Sequence, residues 1–189
     1  MTDFRIHASD SAPEASRIAL AGARSKYGFV PNPIGMLAES PAAVAGYLGI
    51  GEQFDESSFT PVERQVVLLA VSFENACDYC MAAHTVIAGM SRVPAATIEA
   101  LRSGDPLPEA RLDALACFTR TVVRERGRVC EPELAAFLAA GFTRAQVLEV
   151  VLGVAMKTLS NYANHLARTP LDPAFAPARW EPAHLAPVG

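Results

Sequence analysis

Helix-start and helix-stop signals recur along this 189-residue chain, while signals for β-structure are almost missing. Ser40-Pro41 joins a capping hydroxyl to a proline at the first helical position, where a backbone N–H would have no partner anyway. Thr60-Pro61-Val62-Glu63 adds a glutamate three residues after the cap, which is the spacing of a capping box, and Thr143 with Gln146 repeats the device. Gly28, Gly89, Gly104 and Gly141 fall where apolar periodicity stops. No stretch alternates apolar and polar residues for more than about four positions, and there is no Asn-Gly or Asp-Gly hairpin turn. The 34 alanines push the same way, since alanine has the highest helix propensity.

These signals predict an all-α helical bundle. Helices are expected over Pro13–Lys26, Ile34–Glu39, Pro41–Phe54, Pro61–Glu74, from the neighbourhood of Cys77 to Ala88 with Gly89 as the stop, and then over Pro94–Arg102, Pro108–Arg126, Pro132–Ala139 and Thr143–Arg168. The last helix is apolar nearly all round between Val147 and Met156, which suits the centre of a bundle or a subunit interface. After Thr169 the chain changes character, with Pro170, Pro173, Pro177, Pro182 and Pro187. The expected organisation is one helical domain over 1–169 and an extended Pro-rich tail over 170–189, docked on a surface by Phe175 and by Trp180, the only tryptophan.

A chain of this length buries a core without disulfide staples. Its net charge is −4, and its 14 Arg and two Lys are scattered singly, so nothing forms the basic stripe that neutralises phosphates and no nucleic-acid partner is expected. Met1 to Asp10 is polar, without a signal-peptide core, and the apolar run Val150–Met156 is too short to span a bilayer. The expectation is a cytoplasmic protein with no membrane partner, where thiols stay reduced and cysteines serve chemistry more often than structure.

That directs attention to Cys77-Asp78-Tyr79-Cys80-Met81-Ala82-Ala83-His84. With Cys77 in the first turn of a helix, Cys80 at i+3 and His84 at i+7 share its face. A helix N-terminus and a nearby base both favour the thiolate, a second thiol three residues away can close a disulfide after oxidation, and histidine can carry the proton. Dithiol redox chemistry is the main reading. Two others stand beside it: core packing of small hydrophobes, and a metal site needing His165 or Glu74 as the fourth ligand. Cys117 lies in the apolar stripe of its helix and reads as core; Cys130 precedes a helix, has no paired spacing and reads as structural.

The C-x-x-C-x-x-x-H motif resembles the alkylhydroperoxidase D-like, carboxymuconolactone decarboxylase superfamily. Gly28-Phe29-Val30-Pro31-Asn32-Pro33 and the segment from Lys157 to His165, followed by Thr169-Pro170-Leu171-Asp172, resemble its peroxidase-related branch. The resemblance covers roughly residues 15 to 175. It implies an all-helical fold, a homo-oligomer (trimer or hexamer, with a dimer as a further option) and antioxidant thiol peroxidase activity on hydroperoxides without bound metal or haem. It implies Cys80 as the attacking thiolate, Cys77 as the resolving thiol, His84 as a proton relay, and an external dithiol reductant of lipoyl or thioredoxin-like type.

The family's relay glutamate commonly stands twelve residues before the first cysteine, where this chain has Gln65, an amide that cannot take up a proton. Glu63 and Glu74 are the candidate replacements. Glu63 also reads as the capping-box partner of Thr60, and Glu74 as a solvent-facing helix end. Tyr79 stands where some members have a second histidine. Asn161 and His165, four residues apart on the last helix, read either as pocket lining in front of the cysteines or as core. The alternatives to a peroxidase are a non-redox lactone decarboxylase-type lyase and a redox-sensing oligomeric scaffold.

Overall fold

Thr60 opens the helix around which the others are arranged. Its hydroxyl accepts the Glu63 N–H at 3.2 Å while the Glu63 carboxylate accepts the Thr60 N–H at 2.8 Å, so the capping box is present as expected. The computed structural model describes residues 4–182. Among these residues there are nine α-helices and no strand: α1 Arg17–Tyr27, α2 Asn32–Leu37, α3 Pro41–Asp55, α4 Pro61–Glu74, α5 Asp78–Met90, α6 Ala95–Ser103, α7 Ala110–Arg124, α8 Glu131–Ala139 and α9 Arg144–Ala167. Short 3-10 turns at Glu14–Ser16 and Pro173–Ala178 flank the set.

Helix α4 packs on α5, α6, α7 and α9. From Val66 to Ser72 it is buried at every position, so it forms the centre of the main core with Leu101, Leu115, Phe118, Phe137 and Val150 around it. Helix α9 reaches across to both α4 and α3. Gly153 permits that approach: a Cβ there would lie 2.7 Å from Val67 Cγ1 and 2.9 Å from the Phe54 ring. A second cluster joins α1, α2 and α3 to the end of α9, and a third surrounds the cysteines.

Several expectations change. Gly89 does not stop its helix, which continues to Met90. The seventh helix starts at Ala110, because the Asp113 carboxylate holds the Leu107 N–H at 2.7 Å and keeps the preceding segment extended. Cys117 is exposed instead of core, since it lies a full helical step beyond the stripe of Leu112, Leu115 and Ala116. Cys130 is the N-cap of α8, its N–H held by Glu133 at 3.1 Å. The C-terminal segment is not uniformly extended, since Pro173–Ala178 forms a 3-10 turn. It docks on its own chain: Trp180 Nε1 donates to the Arg102 carbonyl at 2.8 Å and its ring meets Phe73, while Phe175 packs on Tyr79 and Phe29. The tail's last part, 183–189 with Pro187, lies outside the described residues. No single helix among the described residues is long and apolar enough to cross a membrane.

Candidate active site

The site begins where α4 ends. Asn75 is the C-cap, Ala76 takes the left-handed conformation at φ 52°, and Cys77 returns to extended backbone as the N-cap of α5. The Cys77 N–H bonds the Ser72 carbonyl at 2.9 Å and the Ala76 N–H bonds the Phe73 carbonyl at 2.9 Å. This is a Schellman motif with alanine where glycine is usual. It turns the chain so sharply that one helix's C-cap motif delivers the next helix's N-cap. Cys77 is thus one position earlier than expected, at the cap and not inside the first turn. Cys80 lies in the first turn of α5, at the positive end of the helix dipole.

Both sulfurs are buried, Cys77 at 0% and Cys80 at 4% exposure. Opposite them α9 presents a polar stripe inside its otherwise apolar surface: Lys157, Ser160, Asn161 and Asn164, at i, i+3, i+4 and i+7, all buried. Asn164 Nδ2 donates to Cys80 Sγ at 3.3 Å and lies 3.9 Å from Cys77 Sγ. Ser160 Oγ is 3.9 Å from Cys80 Sγ. The two thiols are driven apart. A hydrogen bond from the Cys77 thiol, aided by Lys157 and Ser160, outweighs burial and holds Cys80 well below the usual thiol range. The same bond to Cys80, together with burial, pushes Cys77 up. The pair titrates as a unit, and this setting favours the thiolate on Cys80 and the remaining proton on Cys77.

His84 follows Cys80 by one turn. Burial, with the Lys157 charge added, holds its imidazole well below the usual histidine range, so it is neutral at pH 7. Its Nδ1 meets Gln65 Oε1 at 3.0 Å. An amide oxygen only accepts, so Nδ1 carries the proton and Nε2 is the basic nitrogen. Gln65 thereby occupies the relay position as an orienting group. His84, Gln65 and Tyr47 line a cavity of about 540 Å³ whose walls mix apolar groups such as Leu48, Leu68 and Met156 with the charged Lys26, Glu52, Asp55 and Arg64; His84 stands between this cavity and the cysteines, which do not line it.

Other sequence candidates are drawn elsewhere. Both carboxylate oxygens of Glu63 are committed, one to the Thr60 cap and the other to Arg111 at 3.0 Å. Glu74 pairs with Arg124 at 3.2 Å. Neither replaces the relay glutamate. Tyr79 does not line the cavity: its hydroxyl donates to Asp172, whose carboxylate also accepts the Asn32 N–H at 3.0 Å, so it ties the tail and α2 to α5. Asn161 is buried and accepts from Asn75 at 3.0 Å. His165 is exposed and neither lines the cavity nor joins the core. With His165 on the surface and Glu74 held by Arg124, the fourth ligand considered for a metal is not assembled. Lys157, Ser160 and Asn164 were not singled out from sequence. Their signal is a polar stripe at helical spacing inside the apolar α9.

Residues 38–117, which carry α3 to α6, the start of α7 and both Cys77 and Cys80, match the carboxymuconolactone decarboxylase family. Curated proteins give no significant sequence match. A solved structure described as an alkylhydroperoxidase AhpD core, a peroxidase-related protein from Ralstonia eutropha JMP134, is similar with TM-score 0.80 at 21% identity, over 91% of this chain and 93% of that one. A peroxidase-related protein from Silicibacter sp. TM1040 is similar with TM-score 0.77 at 18% identity, over 92% of each chain. The apo debrominase Bmp8 is similar with TM-score 0.78 at 15% identity, over 94% of this chain and 96% of that one. Residues 38–117 thus resemble the carboxymuconolactone decarboxylase family, and the all-helical fold of the chain is the one shared by the AhpD-like peroxidase-related structures.

Proposed function

We propose that this protein is a dithiol oxidoreductase that reduces hydroperoxides, with Cys80 as nucleophile and Cys77 as resolving thiol. The observation that carries the reading is the setting of the two buried sulfurs: Asn164 Nδ2 donates to Cys80 Sγ at 3.3 Å, Ser160 Oγ lies 3.9 Å from it, and Cys80 sits in the first turn of α5, all of which favour the thiolate on Cys80 over Cys77. The Cys80 thiolate attacks the terminal peroxide oxygen, giving Cys80 sulfenic acid and an alkoxide that takes a proton by way of His84. Cys77 then attacks the sulfenic sulfur and water leaves. The sum is dithiol plus hydroperoxide to disulfide, alcohol and water. Gln65 cannot accept a proton, so the relay ends at His84, which exchanges with solvent through the cavity it lines. The cycle closes when an external dithiol, lipoyl or thioredoxin-like, reduces the disulfide. It needs no bound cofactor and belongs in a reducing compartment such as the cytoplasm. The working form is a homo-oligomer.

A second reading uses the same sulfurs. The cavity lined by His84 is far larger than hydrogen peroxide, and a neighbour of the same fold is a debrominase solved as its C82A form with 2,3,4-tribromopyrrole. A thiolate that takes a halogen from carbon, followed by disulfide closure, converts dithiol and organic halide into disulfide, reduced carbon and hydrogen halide. A lactone lyase, by contrast, retains its turnover without the thiols. The deciding experiment compares the parent, Cys80→Ser and the Cys77→Ser/Cys80→Ser double variant on hydroperoxide, on a bromopyrrole and on a lactone, each with a dithiol donor. Hydroperoxide consumption that falls at least about a hundredfold in Cys80→Ser is the expected result for loss of a nucleophile. Equal consumption by Cys80→Ser contradicts it.

A further inference from the structure

We infer that Lys157 is the ionic partner of the Cys80 thiolate and the positioning residue that decides which of the two sulfurs carries the charge. The inference deepens the reading of Cys80 as nucleophile. Lys157 is one of only two lysines in the chain. The other, Lys26, is exposed and paired with Asp55 at 3.0 Å. Lys157 is 1% exposed in the middle of α9. A buried ammonium without an anion is among the most unfavourable arrangements a fold can hold. Among the described residues no carboxylate lies within ion-pair distance of it. On the surrounding elements Glu63 pairs with Arg111, Glu74 with Arg124 and Asp55 with Lys26, Asp172 accepts from Tyr79 and Asn32, Asp78 accepts the Tyr79 N–H and Glu149 accepts from Ser58, while Glu52 on α3 makes no ion pair with Lys157.

What remains near the ammonium is a short set of groups. Helix α3 supplies Tyr47, α5 supplies Cys80 and His84 with Cys77 as its cap, and α4 supplies the uncharged Gln65. Burial keeps the Tyr47 phenol and the His84 imidazole neutral. Cys77 holds the shared proton. Cys80 is the one group left that can be the anion. The helix geometry agrees: Ser160 and Asn164, which contact Cys80 at 3.9 and 3.3 Å, stand one and two turns beyond Lys157 on the same face of α9. Burial would lower the lysine's pKa, yet the charge on Cys80, first among the influences that oppose burial, keeps it raised. The pair is mutual: the ammonium holds the thiolate and the thiolate holds the ammonium.

Disulfide formation then has an electrostatic consequence. Oxidation of thiolate plus thiol to disulfide removes two electrons and one proton, so the cluster goes from neutral to a buried, uncompensated ammonium. The oxidised form is disfavoured, and reduction by an incoming dithiol restores the pair.

The test reads ionisation and not turnover, so a protein that consumes no peroxide leaves it unaffected. Iodoacetamide alkylation of Cys80 and Cys77 is followed against pH by peptide mass spectrometry in the parent, Lys157→Met and Lys157→Arg. In the parent Cys80 is alkylated with a midpoint well below the ordinary ~8.5. In Lys157→Met the midpoint rises by about 1 to 3 units, and Lys157→Arg stays within about one unit of the parent. An unchanged midpoint in Lys157→Met overturns the inference. Where Lys157→Met does not fold, urea unfolding of the two cysteine variants decides: Cys80→Ser, which strands the ammonium, has a lower midpoint than Cys77→Ser. Equal midpoints overturn it.

Discussion

At Cys80 several weak influences act together on a sulfur that burial alone would keep protonated: the Asn164 amide at 3.3 Å, the Cys77 thiol, the Lys157 ammonium and the first-turn position on α5. His84 works the other way, kept neutral by burial and by the same ammonium. Its lowered pKa ties stability to pH with a definite sign. In the unfolded chain an ordinary histidine takes up its proton near ~6.5, while folded His84 does not. Acid therefore favours unfolding. The contribution is complete above pH ~6.5 and is lost as pH falls from there towards the folded-state value, at a limiting slope of about 1.4 kcal/mol per unit. Urea unfolding between pH 7 and 5 is expected to show this slope in the parent and a flatter one in His84→Gln; parallel slopes contradict it. Cys77, Cys80 and His84 were legible because their i, i+3 and i+7 spacing is itself the chemistry. Lys157 was not, because a single lysine beside an apolar run reads as the end of that run. Only the fold shows that the lysine is buried at the head of a polar stripe on the inner face of α9. The glutamates misled for a related reason: Glu63 and Glu74 are near the motif in sequence, but an arginine from α7 holds each.

Among the elements, the junction of α4 and α5 controls the site. Ala76 at φ 52° completes the motif that turns Ser72 and Phe73 back onto Cys77. An L-residue there costs about 1–2 kcal/mol, which glycine avoids. Ala76→Gly is expected to raise the unfolding free energy by about 1 kcal/mol, measured by urea titration, with the helix content unchanged. A loss of stability contradicts the reading of the turn. The helices themselves were legible because caps and prolines are local signals, as the Thr60–Glu63 and Thr143–Gln146 boxes show. The break at Ala76 carries no glycine, so it could be inferred only from the cysteines that follow it. The 3-10 turn at Pro173–Ala178 was hidden by its prolines, which read as extended chain.

For the whole molecule the outer face of α9 is an open apolar feature. Leu148, Val151, Tyr162 and Leu166 are exposed, and at 100° per residue they lie within an arc of about 60°. An apolar stripe of this length on a helix whose other face is fully used fits the homo-oligomer we propose, with α9 at the interface. Leu148→Glu with Leu166→Glu is expected to reduce the mass measured by light scattering to that of a single chain, with the thermal unfolding of the helices retained. A parent that is already a single chain at micromolar concentration contradicts the proposal. The tail matters at the same scale. By docking Phe175 on Tyr79 and Trp180 on α6, it covers the start of α5.

The central claim is that Cys80 attacks and Cys77 resolves. Its most direct measurement is mass-spectrometric trapping of the oxidised sulfur after brief hydroperoxide treatment in the presence of dimedone. The account predicts a Cys77–Cys80 disulfide in the parent, a dimedone adduct on Cys80 in Cys77→Ser, and no adduct on Cys77 in Cys80→Ser. An adduct on Cys77 in Cys80→Ser, with Cys80 unlabelled in Cys77→Ser, would contradict it.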